Sequence, residues 1–389
     1  MVGGVRIARR MGDIQPFHVM DILARAKEME ARGRSIVHME VGEPDFDTPR
    51  PIVEAGKRAL DEGHTRYAPS CGIRELREAI STFYRTRHGV DVPRDRIVIT
   101  PGATGALQLV LGVLVEPGER VLMTDPGYPC NKSFVRMLEG RVEALPVGPE
   151  TGYQLTPGMV EGAWTADTAA VLAASPANPT GTTVPRRDLA RIAALARERG
   201  GWLVVDEIYH GLTYGSEAAT VLADTTDVFV INSFSKYFGM TGWRVGWLVA
   251  PEPFLPAIDR LAQNVVLSVS APAQRAALAA FEPATIAILE ERRREFQARR
   301  DYLVPALREI GFGIPVLPQG AFYVYADSSR FSSDSFELAH RLLEQGGVAV
   351  TPGIDFGSAG AGSHVRFAYT TSLANLEEGV RRLGENLVG

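Results

Sequence analysis

The stretch VFVINSFSKYFGMTGWRVGWLV (residues 228–249) holds two short apolar runs on either side of Lys236. Such runs are typical of strands that are buried on both faces of a mostly parallel sheet. A lysine between them would lose contact with water, which lowers the pKa of its amine and makes it a nucleophile able to form a Schiff base. Ser233, Ser235 and Arg244 lie close to it in sequence and suit a phosphate group. The stretch therefore favours a site for an aldehyde cofactor that bears a phosphate, against the alternative of an ordinary surface lysine in a loop.

Polar residues also follow other apolar runs. Asp206 ends the run in WLVVDEIY (202–209), at the carboxyl end of a predicted strand, where open α/β sheets bind ligands. A buried carboxylate needs a partner, and a protonated pyridine nitrogen would supply one; the alternative is an Asp that caps the following helix. SPANPTG (175–181) follows another run, and TPGATG (100–105) places backbone N–H groups at a helix N-terminus, a site for anions. Each of these turns is a weak indication when it is taken singly.

Apolar runs alternate with amphipathic stretches along most of the chain. The predicted strands are residues 96–100, 120–124, 169–174, 202–206, 228–232 and 245–249, and the predicted helices include residues 73–87, 104–115 and 185–199. This alternation predicts an α/β fold in which helices cover both faces of a mostly parallel sheet.

The pattern changes after residue 280. A long charged helix at 286–310 is followed by predicted strands at 322–326 and 365–369, which indicates a smaller α+β domain. The amphipathic residues 17–32 are expected to pack on this domain. The predicted organisation is an N-terminal arm (1–15), a small domain formed by both chain ends (16–47 and 281–389) and a large cofactor-binding domain (48–280).

The composition is that of an ordinary soluble globular protein. The 389 residues carry a formal net charge of −5, with 45% hydrophobic and 22% charged residues. Such a length indicates about two or three domains, and without concentrated Lys and Arg we expect no nucleic-acid partner. No apolar run approaches ~18 residues, so we expect no membrane span. Cys71 and Cys130 are too few for a disulfide framework and no metal-ligand spacing is present, so a cytoplasmic protein without a metal is expected.

Taken together and in their order, the motifs resemble one known family. TPGATG, Tyr128 in DPGYP, NPTG, DEIY and SFSKYFGMTGWRVGW follow one another as in the class I/II aminotransferases, the fold-type I enzymes that use pyridoxal 5′-phosphate. The resemblance runs from GEPDFDTP (42–49) to the predicted strand that contains Arg366. It implies an aspartate aminotransferase-like fold, with a large and a small domain. It also implies an enzyme that moves an amino group between an L-amino acid and a 2-oxo acid.

The resemblance further implies which residues hold the cofactor. Lys236 would carry it as a Schiff base and then move a substrate proton, and Asp206 would keep the pyridine nitrogen protonated. Asn178 and Tyr209 would hydrogen-bond the ring O3′, and Tyr128 would stack on the ring. The implied catalytic residues are thus Lys236, Asp206 and Tyr209, and the implied phosphate-binding residues are Ala103, Thr104, Ser233, Ser235 and Arg244.

The substrate and a second subunit are implied in the same way. Arg366, in HVRFAY, matches the family arginine that grips the substrate α-carboxylate, next to Asn178. The alternative is an arginine at a solvent-facing strand position. Gly42 lies where the family lets the backbone approach the substrate. Tyr67 matches a tyrosine that reaches the phosphate of the neighbouring subunit, so the resemblance implies a homodimer with shared active sites.

Two regions bear on the choice of substrate. Aspartate-type members often grip a distal carboxylate with an arginine in the region that corresponds to residues 264–274, or with a lysine in the Gly-rich turn. Here residues 264–274 contain no Arg or Lys, and the turn has Thr104. The neutral Val265, Val266 and Leu267 favour a neutral, apolar or aromatic amino acid.

Two other functions stay open at this point. A lyase, for example one that cleaves a C–S bond, would need the same lysine, aspartate and phosphate site. A non-catalytic, cofactor-sensing regulator is the other alternative. Regulators of that kind usually carry an additional DNA-binding domain, for which the short segment before Phe17 leaves no room.

Overall fold

The computed structural model describes residues 6–14, 16–215 and 218–387. Residues 1–5 and 15 of the predicted N-terminal arm, and residues 388–389 of the predicted small domain, lie outside the described residues. The strands are β1 (Val37–His38), β2 (Ile97–Thr100), β3 (Arg120–Asp125), β4 (Arg141–Pro146), β5 (Thr168–Ala174), β6 (Trp202–Asp206), β7 (Phe229–Ser233), β8 (Gly246–Val249), β9 (Tyr323–Asp327), β10 (Val348–Ala349), β11 (Thr351–Pro352) and β12 (His364–Ala368). The α-helices are α1 (His18–Ala31), α2 (Arg50–Asp61), α3 (Arg74–Phe83), α4 (Gly102–Leu114), α5 (Pro129–Met137), α6 (Pro157–Ala163), α7 (Arg186–Glu198), α8 (Leu255–Val265), α9 (Ala271–Leu278), α10 (Pro283–Ile310), α11 (Ser335–Arg341) and α12 (Leu373–Leu387).

The centre of the fold is a seven-stranded sheet in the order β2-β8-β7-β6-β5-β3-β4. Its strands are apolar throughout because both faces are covered. On β6, Leu203 and Val205 belong to one apolar cluster and Val204 belongs to the other, and all three side chains are fully buried. The sheet is mostly parallel, as predicted, and each predicted strand corresponds to an observed one within a residue or two at its ends.

Two features of this sheet differ from the simplest expectation. β8 runs antiparallel to both of its neighbours, β2 and β7. The loop between β7 and β8 contains only a short 3-10 turn, Thr241–Trp243, whereas a parallel return needs a longer crossover, usually a helix. β4 escaped prediction because it is an edge strand, with an exposed Arg141 and partly buried residues after it in place of an apolar run.

The two ends of the chain meet in smaller sheets. β1 pairs in parallel with β10, and β11, β12 and β9 form a three-stranded antiparallel sheet. α1 begins one residue later than the predicted helix and contacts β11 and β10. The main-chain N–H groups of His18 and Val19 donate to the carboxylate of Asp355, which satisfies two donors at the start of α1.

The same C-terminal loop that contains Asp355 reaches the central sheet. The carboxylate of Asp125, at the end of β3, accepts hydrogen bonds from the main-chain N–H groups of Ser358 and Ala359 and from the Ser358 hydroxyl, at 2.8–3.3 Å. Gly357 must be a glycine, because a Cβ there would lie 1.6 Å from Asp125 Oδ1. Residues 355–359 therefore connect α1 to the turn after β3.

β5, β6 and β7 are parallel neighbours, so their carboxyl ends lie side by side. Asp206 at the end of β6 is in register with Ala174 on β5 and Ile231 on β7. The loops that follow these strands carry the NPTG, DEIY and SFSK motifs. The fold thus gathers the three motifs at one edge of the sheet, where open α/β sheets bind ligands.

Candidate active site

A cavity of about 540 Å³ lies at this edge, between the central sheet, α1 and the C-terminal strands. Most of the site residues predicted from the sequence line it: Gly42, Ala103, Thr104, Tyr128, Asn178, Asp206, Tyr209, Ser235, Lys236, Arg244 and Arg366. The structure therefore brings residues from the whole length of the chain to one place.

Lys236 presents its amine to this cavity. Nζ donates a hydrogen bond to the main-chain oxygen of Gly42 at 2.7 Å. Burial lowers the pKa of the amine to about 8, and the positive charges of Arg366 and Arg244 act in the same direction, against the nearby carboxylates. An amine in this state is a nucleophile near neutral pH.

Asp206 is a buried carboxylate that has no cationic partner at hydrogen-bond distance among the described residues. Burial is the largest cause of the rise in its pKa to about 7. The charge of Glu207 acts in the same direction, against the hydrogen bond from the Ile208 N–H and the charge of Lys236. Its Oδ1 accepts a hydrogen bond from the N–H of Ile208 at 3.0 Å and holds the local turn. The residues directly after β6 form a turn and not a helix, so the alternative of an Asp that caps a following helix is wrong. It also lines the cavity, where a protonated ring nitrogen would stabilise its charge.

Arg366 lies almost completely buried on β12. Nη1 donates to Oδ1 of Asn178 at 2.8 Å and Nη2 donates to the main-chain oxygen of Glu40. The guanidinium stacks over the Tyr323 ring, 4.3 Å from its centroid. Its burial excludes the alternative of a solvent-facing arginine. Nε has no hydrogen-bond partner, and no described carboxylate forms an ion pair with the guanidinium. It has the donors and the unpaired charge that suit a carboxylate ligand.

The N-terminus of α4 and Arg244 meet at one end of the cavity. α4 begins at Gly102, whose φ of +68° favours a glycine. A Cβ there would lie 2.6 Å from Nη2 at the flexible end of Arg244. Arg244 itself has a φ of +54°. Helix N–H groups beside a guanidinium form a site for a doubly charged anion such as a phosphate.

Two predicted site residues do not line this cavity. Ser233 is buried on β7, and its hydroxyl contacts Ser235 Oγ at 2.9 Å and Val245 O at 3.1 Å. Tyr67 is 83% exposed. Their predicted roles remain predictions.

Other lining residues were missed by the sequence reasoning. Tyr323 on β9 lies with its hydroxyl 3.0 Å from that of Tyr209, and burial raises the pKa of both phenols. Glu40 is fully buried next to Arg366. The helix α1 and the residue before it contribute another missed group, which is apolar: Phe17, Val19, Met20 and Leu23. The amphipathic pattern of residues 17–32 showed that this helix has an apolar face, but not that part of it faces a cavity.

Other described residues bear on metal binding, thiol chemistry and membrane insertion. The described residues contain no group of His, Cys, Asp and Glu side chains that could hold a metal ion. Both cysteines are free, and burial raises the pKa of the Cys71 thiol to about 12, so it is not a nucleophile. Among the helices described, none has the length and hydrophobicity needed to span a membrane.

Comparison with known proteins gives a consistent result. Residues 34–383 match the family described as aminotransferase class I and II. The chain is 39% identical to the valine–pyruvate aminotransferase of Mycobacterium tuberculosis, over 97% of this chain and 98% of that protein. It is 36% identical to the aspartate/prephenate aminotransferase of Thermus thermophilus, over 98% of each.

Solved structures agree with the sequence matches. A crystal structure of an aminotransferase from Mycobacterium tuberculosis is similar with a TM-score of 0.95 at 38% identity, over 99% of each chain. Aspartate aminotransferase from Thermus thermophilus with maleate is similar with a TM-score of 0.92 at 36% identity, over 98% of this chain and 100% of that one. These likenesses confirm the predicted aspartate aminotransferase-like fold. The chain belongs to the class I and II aminotransferases and is a pyridoxal phosphate-dependent transferase that acts on amino and 2-oxo acids.

Proposed function

We propose that Lys236 is the residue that binds the carbonyl carbon of pyridoxal phosphate, and that the enzyme prefers amino acids with neutral, apolar or aromatic side chains. One observation carries the proposal. A single cavity contains a lysine amine with a lowered pKa, a buried carboxylate without a cationic partner (Asp206) and a buried arginine with an unpartnered nitrogen (Arg366).

The residues around the cavity fit this cofactor. Asp206 would pair with the ring nitrogen, which removes the energetic penalty of burying its charge. The phosphate would accept hydrogen bonds from the N–H groups of Ala103 and Thr104 and from the side chains of Ser235 and Arg244. Ring contacts would come from the predicted residues Tyr128, Asn178 and Tyr209, all of which line the same cavity. When bound, pyridoxal phosphate supplies an electron-accepting ring that stabilises negative charge at the substrate Cα.

Lys236 would also move the substrate proton. With a pKa of about 8, its amine is partly unprotonated near neutral pH and can accept a proton from Cα. The hydrogen bond from Nζ to Gly42 O fixes the direction of the side chain. Gly42 is required at this position, because a Cβ would lie 1.8 Å from the hydroxyl oxygen of Tyr323.

Arg366 would hold the substrate α-carboxylate, and Asn178 would hold the guanidinium in place through their 2.8 Å hydrogen bond. A carboxylate fixed in this way turns the Cα–H bond toward the lysine amine.

The proposed preference for neutral substrate side chains is supported by the cavity-lining residues that have no role in binding the cofactor or the α-carboxylate. Its cationic side chains are Lys236, Arg244 and Arg366, and each already has a proposed role. The described lining offers no further cation for a distal carboxylate, and it does offer the apolar Val19, Met20 and Leu23 of α1. The preference also agrees with the name of one relative, the valine–pyruvate aminotransferase of Mycobacterium tuberculosis, since valine is an apolar amino acid.

A half-reaction screen tests the proposal. The holoenzyme is mixed with one amino acid at a time, while the visible absorption of the cofactor and the release of 2-oxo acid are followed. We expect valine, leucine and phenylalanine to react at least about tenfold faster than aspartate, since a distal carboxylate would be buried without a partner. Equal or faster reaction of aspartate would refute the preference. Steady release of pyruvate and ammonia without an oxo-acid acceptor would favour the lyase alternative.

We further propose a homodimer in which Tyr67 reaches the phosphate site of the partner. Tyr67 is 83% exposed in the single chain, and Val265 and Leu267 are 61% and 52% exposed. These residues lie on neighbouring segments, since the N–H of Ala68 donates to Ser268 Oγ at 2.8 Å. Exposed aromatic and aliphatic side chains grouped in this way are typical of an interface.

Sedimentation tests the dimer, and the affinity for pyridoxal phosphate tests the role of Tyr67. We expect Tyr67→Phe to remain dimeric and to bind pyridoxal phosphate about tenfold more weakly, because one hydrogen bond to a charged group is lost. A monomeric protein with full activity would contradict both parts.

The predicted division into a small domain (16–47 and 281–389) and a large domain (48–280) is also a proposal. It is supported by the pairing of β1 with β10, which joins the two chain ends, and by the separate central sheet. A cytoplasmic location is proposed with it, and two free thiols are compatible with a reducing compartment.

A further inference from the structure

The segment 40–42, which follows β1, places main-chain oxygens against two of the cationic side chains in the cavity. Glu40 O accepts a hydrogen bond from Nη2 of Arg366. Gly42 O accepts one from Nζ of Lys236 at 2.7 Å. The position of this short segment therefore orients both the guanidinium and the amine.

The side chain of Glu40 belongs to a row of charged groups that runs inward from the surface. The carboxylate is fully buried, and its Oε1 lies 2.7 Å from Nδ1 of His38 on β1. On its other side, Nε2 of His38 lies 3.2 Å from Oε1 of Glu30 on α1. These contacts, with the hydrogen bond to Glu40 as the largest cause, raise the pKa of His38 to about 9. The ring is therefore positively charged near neutral pH and pairs with the buried carboxylate.

A buried carboxylate is an unfavourable way to fill this space. Removing the carboxylate from water is costly even when it is paired, and an apolar side chain of similar volume would avoid that cost. The residues on either side, Met39 and Val41, are apolar. Glu40 also retains one oxygen, Oε2, without a hydrogen-bond partner among the described residues. The charge at this position therefore calls for an explanation other than packing.

We propose that Glu40 and His38 form a positioning pair for the active site. The ion pair holds segment 40–42 in place, and through its two carbonyl oxygens the segment holds Arg366 and Lys236. Neither member of the pair contacts a reacting atom in this scheme, so neither is a catalytic residue.

The arrangement predicts which kinetic constant depends on the pair. Loss of the ion pair lets segment 40–42 shift, and the Arg366 guanidinium loses a fixed acceptor. Binding of the substrate carboxylate then weakens equally in the ground state and in the transition state, which raises KM more than it lowers kcat. This inference rests on the proposed carboxylate-binding role of Arg366.

A double-mutant cycle with Glu40→Gln and His38→Gln tests the proposal. Gln keeps the volume of Glu40 and removes its charge. We expect each single variant to raise KM for a good amino-acid substrate about tenfold and to change kcat less than about threefold. The double variant should resemble either single one, because both changes break the same pair. Glu30→Gln is the matched control and should leave KM within about twofold, since its carboxylate is partly exposed and does not contact the segment.

Two readouts besides turnover separate positioning from a general loss of structure. The Kd of a 2-methyl amino acid, which has no Cα proton to lose, should rise in parallel with KM. The thermal unfolding temperature of the cofactor-free protein should fall by no more in Glu40→Gln than in Glu30→Gln. Because His38 is partly exposed, His38→Gln keeps the test open if Glu40→Gln does not fold.

Several results would overturn the proposal. Unchanged KM in both single variants would exclude a positioning role for the pair. Additive effects on KM in the double variant would exclude it as well. So would a fall in kcat that parallels a fall in the unfolding temperature. Arg366→Lys is measured in parallel. If it raises KM and the Glu40 and His38 variants do not, only the positioning pair fails; if Arg366→Lys leaves KM unchanged, the proposed function fails with it.

Discussion

Replacing Asp206 by Asn is expected to change the stability of the cofactor-free enzyme in a pH-dependent way. In the folded protein, burial raises the pKa of this carboxyl from 3.8 to about 7. The difference corresponds to about 4 kcal/mol, since one pKa unit is worth about 1.4 kcal/mol. Between these two values the folded state binds more protons than the unfolded state. The unfavourable contribution of Asp206 is therefore absent below pH 3.8 and grows as the pH rises to about 7.

The Asp206→Asn variant keeps the oxygen that accepts the hydrogen bond from the Ile208 N–H, and it has no charge to bury. The cofactor-free variant should match the wild type near pH 4 and exceed its free energy of unfolding by up to about 4 kcal/mol near pH 8. Urea unfolding of both proteins, at one protein concentration and at several pH values, measures the difference in their free energy of unfolding. A difference that stays constant across this range would refute the raised pKa.

For binding of the cofactor we expect the opposite result, with the wild type better than the variant. Asp206→Asn should bind pyridoxal phosphate more weakly, because an amide cannot stabilise the protonated ring nitrogen as a carboxylate does. Glu207→Gln is the matched control. Burial also raises the pKa of Glu207, to about 8. Its Oε1 accepts hydrogen bonds from Thr220 Oγ1 and Val221 N, and an amide oxygen could accept the same bonds. Glu207 does not line the cavity, so this variant should gain stability at high pH without losing affinity for the cofactor.

The remaining predictions concern single side chains in the cavity. Lys236→Ala should release pyridoxal phosphate on gel filtration and lose the visible absorption of the bound form; an unchanged spectrum would exclude Lys236. Arg366→Ala removes hydrogen bonds between charged groups worth about 3 kcal/mol, so kcat/KM should fall about 100-fold for every amino acid. If only some substrates were affected, the α-carboxylate would have to bind elsewhere. Gly42→Ala should reduce activity because of the 1.8 Å contact with the hydroxyl oxygen of Tyr323, and Tyr323→Phe should restore part of it. A fully active Gly42→Ala variant would contradict that close approach.

Much of the fold was predictable because its main signals are local. Short apolar runs bounded by Gly, Pro and Asn mark strands, and polar residues at the ends of parallel strands converge at one edge. Asp206, the last residue of its strand, and Lys236, shortly after the end of another, were predicted in this way. β4 was not, since an edge strand needs no continuous apolar run. The direction of β8 depends on which strands it pairs with, and a local pattern does not contain that information.

The missed site residues depend on contacts across long separations in sequence. Tyr323 meets Tyr209 over 114 residues and Arg366 meets Glu40 over 326. Tyr323 begins β9 and Glu40 follows β1 closely, but neither belongs to one of the sequence motifs that marked the other site residues. For the predicted residue Tyr67 the difficulty is of another kind: its proposed contact is with a second chain, so one chain shows only an exposed side chain.

The loop of residues 355–359 has a consequence for redesigning the substrate range. Asp355 anchors the first turn of α1, whose apolar face forms one wall of the cavity, while Ser358 and Ala359 anchor the carboxylate of Asp125, which precedes the turn bearing Tyr128 on another wall. Residues 355–359 thus hold both α1 and the turn that bears Tyr128. We therefore expect a change in α1 that moves this loop to shift the turn that bears Tyr128 as well. Variants that widen the cavity without disturbing Tyr128 should therefore alter side chains such as Met20 and leave the loop unchanged.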